Sequence, residues 1–286
     1  MDKKHYTWGH HLVAFLDVLG QREKFRLLEL PKTAEDYARV GQVLNDTAGF
    51  VSGLRDTFRA NFRAFEAGIS KGPLQAQGSV QPNFVGFSDS FIVSVALRND
   101  RGDLVRIISV FSALSAAAIM MLTALASKHA LRGGIDVGLA TEISPGEIYG
   151  TALELAYVLE SQRAQYPRIV IGSELSRYLS VALVRFETDA SPTGKIATSI
   201  IQKIMKLIST DTDGERILDY LGPILAELLK AGEAKIMIQP SYEFIVAEHL
   251  RLHSIGDEKL GQRYDLLRRY FESRLPQYGL SCRPWP

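Results

Sequence analysis

The sequence predicts an α/β or α+β domain in which a sheet is covered by helices. Strand-like apolar runs alternate with helical segments between residues 11 and 180. The first run, residues 11–20, is rich in β-branched and aromatic residues and is short enough for a buried strand. A second run, residues 83–95, predicts two short strands joined by a turn at Ser88-Asp89-Ser90.

The first half of the chain adds three helices around these strands. A short helix is predicted at residues 21–28, and a longer one at 34–65, where apolar residues recur at three- and four-residue spacing. Residues 67–82 are rich in Gly, Ser, Gln and Pro and predict a loop. Residues 107–126 are apolar enough for a membrane span, but their Ala and Ser content and polar flanks favour a buried helix.

The second half continues with a strand at residues 131–139 that contains three glycines. Glycines inside a strand indicate a bulge, or close approach by another backbone or a ligand. A turn is expected at residues 140–145, and a helix at 151–164. Strands at residues 168–171 and 215–221 follow, and from residue 223 onward the chain is mainly helical. We expect a domain over residues 1–222 with helical insertions, and a helical extension packed on it over residues 223–286.

Composition narrows the class of protein. The chain has 286 residues, with 33 Lys and Arg against 32 Asp and Glu. A net charge near zero argues against a nucleic-acid or membrane-surface role. The single cysteine, Cys282, excludes an intrachain disulfide and fits a reducing compartment. The N-terminus leads directly into a strand and lacks the apolar core of a signal peptide, so we expect a cytoplasmic protein.

Two aspartates at strand ends are the strongest candidates for chemistry. Asp17 lies inside the first apolar run, and burying a lone carboxylate costs several kcal/mol unless a cation compensates it. Taken alone, Asp17 could cap the following turn and Asp89 could be an ordinary hairpin residue. Together they could hold a pair of hard divalent cations. Two-metal sites stabilise the attacking and leaving oxygens of an in-line phosphoryl displacement.

Four motifs, in order over residues 11–175, resemble those of class III nucleotidyl cyclases. The first resembles the "F-x-D-I-x-G-F" strand, the second the "L-G-D-C/S" hairpin, and the third the "R-x-G-I-x-x-G" strand. The fourth is similar to the "D-x-W-G-x-x-V-N-x-A-S-R-M-E" helix entry. In this sequence they are Phe15-Leu16-Asp17-Val18-Leu19-Gly20, Phe87-Ser88-Asp89-Ser90-Phe91, Arg132-Gly133-Gly134-Ile135-Asp136-Val137-Gly138 and residues 147–160. The resemblance implies an α+β fold with a ferredoxin-like βαββαβ core.

The resemblance also implies roles for individual residues. Asp17 and Asp89 match the two metal-binding aspartates, and the carbonyl of Val18 would be a further ligand for two Mg²⁺ or Mn²⁺ ions. The amides of Leu19 and Gly20 match the backbone that meets the triphosphate. Glu147 matches an acidic residue that reads the base.

The sequence departs from the purine cyclases at three positions. Val85 replaces a base-reading Lys, and Glu154 and Val158 replace the Asn and Arg that stabilise the transition state. A cation should still neutralise charge on the phosphates, and Arg132 and Arg168 are the candidates. For both, a salt bridge at a strand edge is an equally good interpretation.

The match is closest to the pyrimidine cyclases of Pycsar anti-phage defence systems, which share the strand Tyr-Pro-Arg-Ile-Val at residues 166–170. This resemblance implies conversion of UTP to cyclic UMP, which activates a separate effector. It also implies a homodimer whose sites combine the aspartates of one subunit with Glu147 and the following helix of the other. The alternatives are a cyclase that uses CTP, a degenerate nucleotide-binding regulator, and a purine cyclase with substituted recognition residues.

Overall fold

A computed structural model describes residues 6–26, 28–69, 80–97, 106–144, 146–229 and 231–281. Met1–His5, Pro145 and Cys282 lie outside the described residues, as do residues 70–79 of the predicted loop. Within the described residues the strands form one sheet in the order β2-β3-β1-β4-β6-β8-β7, with β5 paired to β4. The strands are β1 (Trp8–Val18), β2 (Asn83–Phe87), β3 (Ser90–Ala96), β4 (Leu131–Ser144), β5 (Glu147–Gly150), β6 (Ile169–Ile171), β7 (Ile208–Thr210) and β8 (Arg216–Leu218).

Helices cover both faces of this sheet. They are α1 (Gln21–Arg26), α2 (Ala34–Ile69), α3 (Ile107–Ala126), α4 (Thr151–Val158), α5 (Ser173–Glu187), α6 (Pro192–Lys206), α7 (Pro223–Leu228), α8 (Ala231–Ser254) and α9 (Glu258–Arg274). A π-helical turn, Leu159–Arg163, continues α4, and a 3₁₀ turn, Leu275–Tyr278, follows α9.

The core of the fold is the predicted βαββαβ unit. β1, α2, β2, β3, α3 and β4 follow one another along the chain. β1 lies between β3 and β4 and is antiparallel to both, which gives the order β4-β1-β3-β2. This is the ferredoxin-like arrangement, so the α+β fold class predicted from the sequence is confirmed.

The side chains of β1 alternate between two different environments. Leu12, Ala14 and Leu16 belong to the main core. Val13 and the half-buried Phe15 point to the opposite face and pack in a smaller cluster with α4. Because the side-chain period of a strand is two, Asp17 lies on the same face as α4.

The helix α3 is the buried helix that the sequence predicts. It is long and apolar enough to cross a membrane, but 94% of its most apolar 18-residue window is buried inside the protein. Such burial is typical of the core helix of a globular protein.

The C-terminal helices pack on the α3 side of the molecule. In α8, the Ser241 hydroxyl donates a hydrogen bond of 3.3 Å to the carbonyl of Leu122 in α3. In α9, the Tyr270 hydroxyl and the Arg274 guanidinium donate to the buried carboxylate of Asp219, at 2.8 and 2.7 Å. The expected division of the chain at residue 222 stays a prediction.

One expectation about local structure was wrong. Residues 140–144 do not form a turn but extend β4, because Ala140 and Thr141 pair with β5. The helix predicted at residues 151–164 is confirmed, and after Val158 it changes from an α-helix to the π-helical turn. In addition, β7 was not predicted, because its three residues are ordered by pairing with β8.

Candidate active site

Asp17 lies at the end of β1, between two polar residues on the neighbouring strands. Ser90 of β3 and Arg132 of β4 are its direct register partners. The Ser90 hydroxyl donates a hydrogen bond of 2.7 Å to Oδ1 of Asp17. Nη2 of Arg132 lies 3.6 Å from Oδ2, and the Asp17 side chain is 20% exposed. Asp17 is therefore oriented by its neighbours while still reaching solvent.

Asp89 lies beside this residue, in the turn between β2 and β3. Ser88 adopts a left-handed conformation with φ 54°, which closes the turn tightly. The amide of Val18 donates a hydrogen bond of 3.1 Å to the carbonyl of Asp89. This bond ties the turn to β1 one residue beyond Asp17, and the Asp89 side chain is half-buried. The structure thus brings the two predicted aspartates to the same end of the sheet.

The predicted phosphate-binding backbone is only partly available. The amide of Leu19 donates a hydrogen bond of 2.9 Å to the carbonyl of Ala130, just beyond the paired ends of β1 and β4, so this donor already has a partner within the chain. The triphosphate contact expected for Leu19 stays a prediction. Gly20 has φ +85° and turns the chain away from the end of β1, which favours glycine at this position.

Arg132 is held beside Asp17 by Glu160, a residue for which no role was predicted. Nε and Nη2 of Arg132 lie 2.7 and 2.6 Å from Oε1 of Glu160, in the π-helical turn. Glu160 is only 5% exposed. Burial raises the pKa of its carboxyl group, and the charge of Arg132 partly offsets that rise. A signal was present in the sequence, since Glu160 is the last residue of the fourth family motif.

Arg168 is engaged in a different cluster, which corrects its interpretation as a phosphate-binding residue. Its side chain is 2% exposed and forms ion pairs with Asp211 at 2.5 Å and Asp213 at 2.6 Å. Burial alone would lower the pKa of Arg168, but hydrogen bonds to the two aspartates outweigh it and raise the pKa. The alternative interpretation, a salt bridge at a strand edge, describes what the structure shows.

Glu147 and Glu154 do not join Asp17 within one chain. Glu147 pairs with Ser144 at the far end of β4, and the Ser144 hydroxyl donates to its carboxylate at 2.7 Å. Arg132 and Ser144 are separated by ~40 Å of strand at about 3.4 Å per residue. Glu154 is exposed on α4, whereas Glu160 faces the sheet. Glu147 could therefore contribute to the Asp17 site only from a second copy of the chain.

The oxygen donors at Asp17 suit a hard divalent cation that also binds substrate. Among the described residues, no group of three or more His, Cys, Asp and Glu side chains is placed to hold a metal ion. Mg²⁺ is commonly bound by one or two carboxylates, with water and substrate phosphates as its other ligands. The carboxylates of Asp17 and Asp89 fit this smaller set, and the carbonyl of Val18 could add a third oxygen.

The chain is similar to solved structures of adenylyl and guanylyl cyclases. The adenylyl cyclase CyaB from P. aeruginosa is 18% identical, with 62% of this chain and 84% of that chain covered and a TM-score of 0.36. The monomeric guanylyl cyclase domain of the RhoGC fusion protein from the aquatic fungus Blastocladiella emersonii is 14% identical, with 63% and 90% covered and a TM-score of 0.38. A class III adenylyl cyclase-like ATP-binding protein from Pseudomonas aeruginosa is 13% identical, with 70% and 43% covered and a TM-score of 0.38.

No family model and no curated protein matches the sequence. At these identities and TM-scores the similarity carries no argument about chemistry. The function therefore has to be argued from the residues of this chain.

Proposed function

We propose that this chain is a nucleotidyl cyclase that converts UTP to 3′,5′-cyclic UMP and pyrophosphate. The observation that carries the proposal is the meeting of Asp17 and Asp89 at one end of the sheet, through the bond between Val18 and Asp89. Arg132 adds a cation 3.6 Å from Asp17. Two carboxylates beside one guanidinium suit a substrate that is a metal-bound polyphosphate.

In the proposed reaction the ribose 3′-hydroxyl attacks the α-phosphate of the same nucleotide. Asp17, Asp89 and the carbonyl of Val18 would hold two Mg²⁺ or Mn²⁺ ions, which when bound offset phosphate charge and favour ionisation of the ribose 3′-hydroxyl. A bond forms between the 3′-oxygen and the α-phosphorus as the bond from that phosphorus to the pyrophosphate oxygen breaks. The hydroxyl proton passes to water or to Asp17. The positive charge of Arg132 would stabilise the negative charge of the triphosphate.

The preference for a pyrimidine is proposed from the position that faces the base in purine cyclases. Val85 is half-buried there and packs with Val13 and Ile92 in an apolar cluster, so it offers no hydrogen bond to a purine. UTP is favoured by resemblance to the uridylate-forming cyclases, and CTP is the alternative. The two bases differ at one edge by a carbonyl against an amine, which placed hydrogen bonds can distinguish.

A homodimer is proposed because one chain does not bring all the family positions together. Glu147 is remote from Asp17 within the chain, and Glu154 is exposed to solvent on α4. In a two-fold symmetric dimer each copy would supply these residues to the Asp17 of its partner, giving two equivalent sites. Tyr149 and Tyr157 are 67% and 51% exposed, and large exposed aromatics are enriched at interfaces.

The proposed biological role rests on the resemblance to the Pycsar cyclases. A cyclic pyrimidine nucleotide would be a second messenger in the cytoplasm, where it would act on a separate effector in anti-phage defence. This part of the proposal is supported by the motifs of the sequence.

A nucleotide-binding regulator without turnover is the second candidate. It is favoured by α4, which exposes the carboxylate of Glu154 and carries Val158 where the family has a transition-state cation. A carboxylate near a triphosphate opposes rather than stabilises its charge.

A turnover assay separates these candidates. The purified protein is incubated with Mn²⁺ and each of UTP, CTP, ATP and GTP, and products are identified by chromatography and mass. We expect cyclic UMP from UTP and little product from ATP or GTP. Cyclic CMP alone would move the assignment to CTP, and cyclic AMP or GMP would show that the argument from Val85 is wrong. Binding of a triphosphate without turnover would favour the regulator.

A further inference from the structure

The π-helical turn approaches β4 more closely than a strand with a side chain at position 134 would allow. A Cβ atom on Gly134 would lie 2.5 Å from Cβ of Leu159 and 2.8 Å from the amide nitrogen of Glu160. The missing side chain therefore lets the backbone of Glu160 rest on β4. π-Helical turns inside α-helices occur frequently at functional sites. Here the turn delivers a carboxylate to Arg132, two residues before Gly134 on the same face of the strand.

Arg132 lies between two carboxylates, at unequal distances. Its Nη2 is 2.6 Å from Glu160 and 3.6 Å from Asp17. Nε also binds Glu160, at 2.7 Å, so two nitrogens of the guanidinium are oriented by one carboxylate oxygen. Both members of the pair are largely shielded from water, with 21% and 5% of their side chains exposed. Ion pairs are stronger in such a site than on the surface.

We infer that Glu160 is a positioning residue that keeps Arg132 in a loose ion pair with Asp17, 3.6 Å away and beyond hydrogen-bond distance, so that the guanidinium does not occupy the carboxylate that the proposed metal site needs. The inference rests on the proposed function, because it takes Asp17 as a metal ligand. If the charge of Glu160 were removed, Asp17 would become the nearer anion for Arg132. Closing the gap from 3.6 Å to the ~2.8 Å of a charge-assisted hydrogen bond would place a cation on the carboxylate that should bind metal.

The test is a titration of Mn²⁺ in the absence of nucleotide, followed by electron paramagnetic resonance of the free ion. Glu160→Gln keeps the size of the side chain and removes its charge. We expect its dissociation constant for Mn²⁺ to rise about tenfold, as is typical when a partner of a metal ligand is lost. In the Arg132→Gln background the same change should have little further effect, because the competing cation is gone. An equal loss in both backgrounds would overturn the inference, because Glu160 would then act by its charge alone.

A matched control and a second variant keep the result interpretable. Glu215→Gln removes the ion pair at 2.6 Å between Glu215 and Arg163, which anchors the same π-helical turn on its exposed side. It should leave Mn²⁺ binding unchanged. If Glu160→Gln does not fold, Arg132→Gln alone is decisive, because we expect it to bind Mn²⁺ at least as tightly as the natural protein. Weaker binding in Arg132→Gln would contradict the inference.

Failure of the inference and failure of the proposed function give different results. Asp17→Asn is measured in the same titration. If it binds Mn²⁺ weakly while Glu160→Gln binds as the natural protein does, the metal site stands and the role of Glu160 is wrong. If Asp17→Asn binds Mn²⁺ normally, the proposed metal site itself is wrong.

Discussion

At the scale of single residues, three of the four carboxylates that are buried in the described part of the chain show how differently such groups are stabilised. Glu160 is paired with Arg132, and Asp219 is paired with Arg274 and the Tyr270 hydroxyl. Asp136, which is 2% exposed, accepts hydrogen bonds from the amides of Val137 and Leu175, at 2.9 and 2.7 Å. The carboxylate of Asp136 is thus bound by two backbone amides, one of which lies at the start of α5. Only the first of these carboxylates lies beside the proposed catalytic aspartates.

Asp136 gives a prediction about pH. Burial raises its pKa, although the two amide hydrogen bonds oppose the rise and the nearby Glu174 adds to it. Because the pKa of Asp136 is higher in the folded than in the unfolded protein, its contribution to stability is complete below the unfolded-state pKa of about 3.9. This contribution is lost as the pH rises through the folded-state pKa. We expect Asp136→Asn to gain stability relative to the natural protein between pH 4 and pH 7. Urea unfolding at the two pH values measures this.

Asp189 is the control for this prediction. Its hydrogen bonds with Ser191 lower its pKa, so its contribution to stability is already nearly complete above the unfolded value of about 3.9. Asp189→Asn should therefore keep a nearly constant difference in stability from the natural protein between pH 4 and pH 7. A difference between Asp136→Asn and the natural protein that stays constant from pH 4 to pH 7 would contradict the assignment.

At the scale of elements, the parts of the fold that could be predicted are those fixed by local sequence. The apolar run of β1 and the turn chemistry at Asp89 predicted both strand ends, and the glycines of β4 indicated a bulge or close approach by another backbone or a ligand. The structure shows close approach by another backbone at Gly134, against the turn after α4. The extension of β4 was not predicted, because it depends on pairing with β5 rather than on its own residues.

Contacts between residues distant in sequence also limit what could be predicted of the site. The nearness of Asp17 and Asp89 could be predicted because each ends a strand of one sheet. The partners of Arg132 and Arg168 could not, because Glu160 and Asp211 are 28 and 43 residues distant in sequence. For Arg168, the sequence left a salt bridge and a catalytic role equally open, and only the tertiary contacts decide between them.

The packing of the π-helical turn on β4 gives a prediction at this scale. Gly134→Ala should reduce the free energy of unfolding by about 1–3 kcal/mol, because the added methyl group meets backbone atoms that cannot move independently. Gly9→Ala, in β1, is the control, since a Cβ there meets no atom within 4 Å. It should change stability by no more than about 0.5 kcal/mol. Chemical denaturation measures both, and an equal effect of the two variants would show that the turn accommodates a side chain at Gly134.

At the scale of the whole molecule, the sheet separates the main core from the face that carries the proposed site. α3 and α8 bury the core on one face, and the C-terminal helices are tied to that side through Asp219 and Leu122. The other face carries α4 and the polar groups of Asp17, Arg132 and Glu160. This division leaves the functional face available for substrate and for the second copy that the proposed dimer requires.

The central claim is that Asp17 and Asp89 together carry nucleotide cyclisation. The most direct measurement is the Mn²⁺-dependent turnover of UTP by Asp17→Asn and Asp89→Asn, beside Asp56→Asn as a control on the exposed surface of α2. We predict that each of the first two variants folds and loses cyclic nucleotide formation to the limit of detection, while Asp56→Asn retains the natural rate. Undiminished turnover in a folded Asp17→Asn or Asp89→Asn variant would contradict the account.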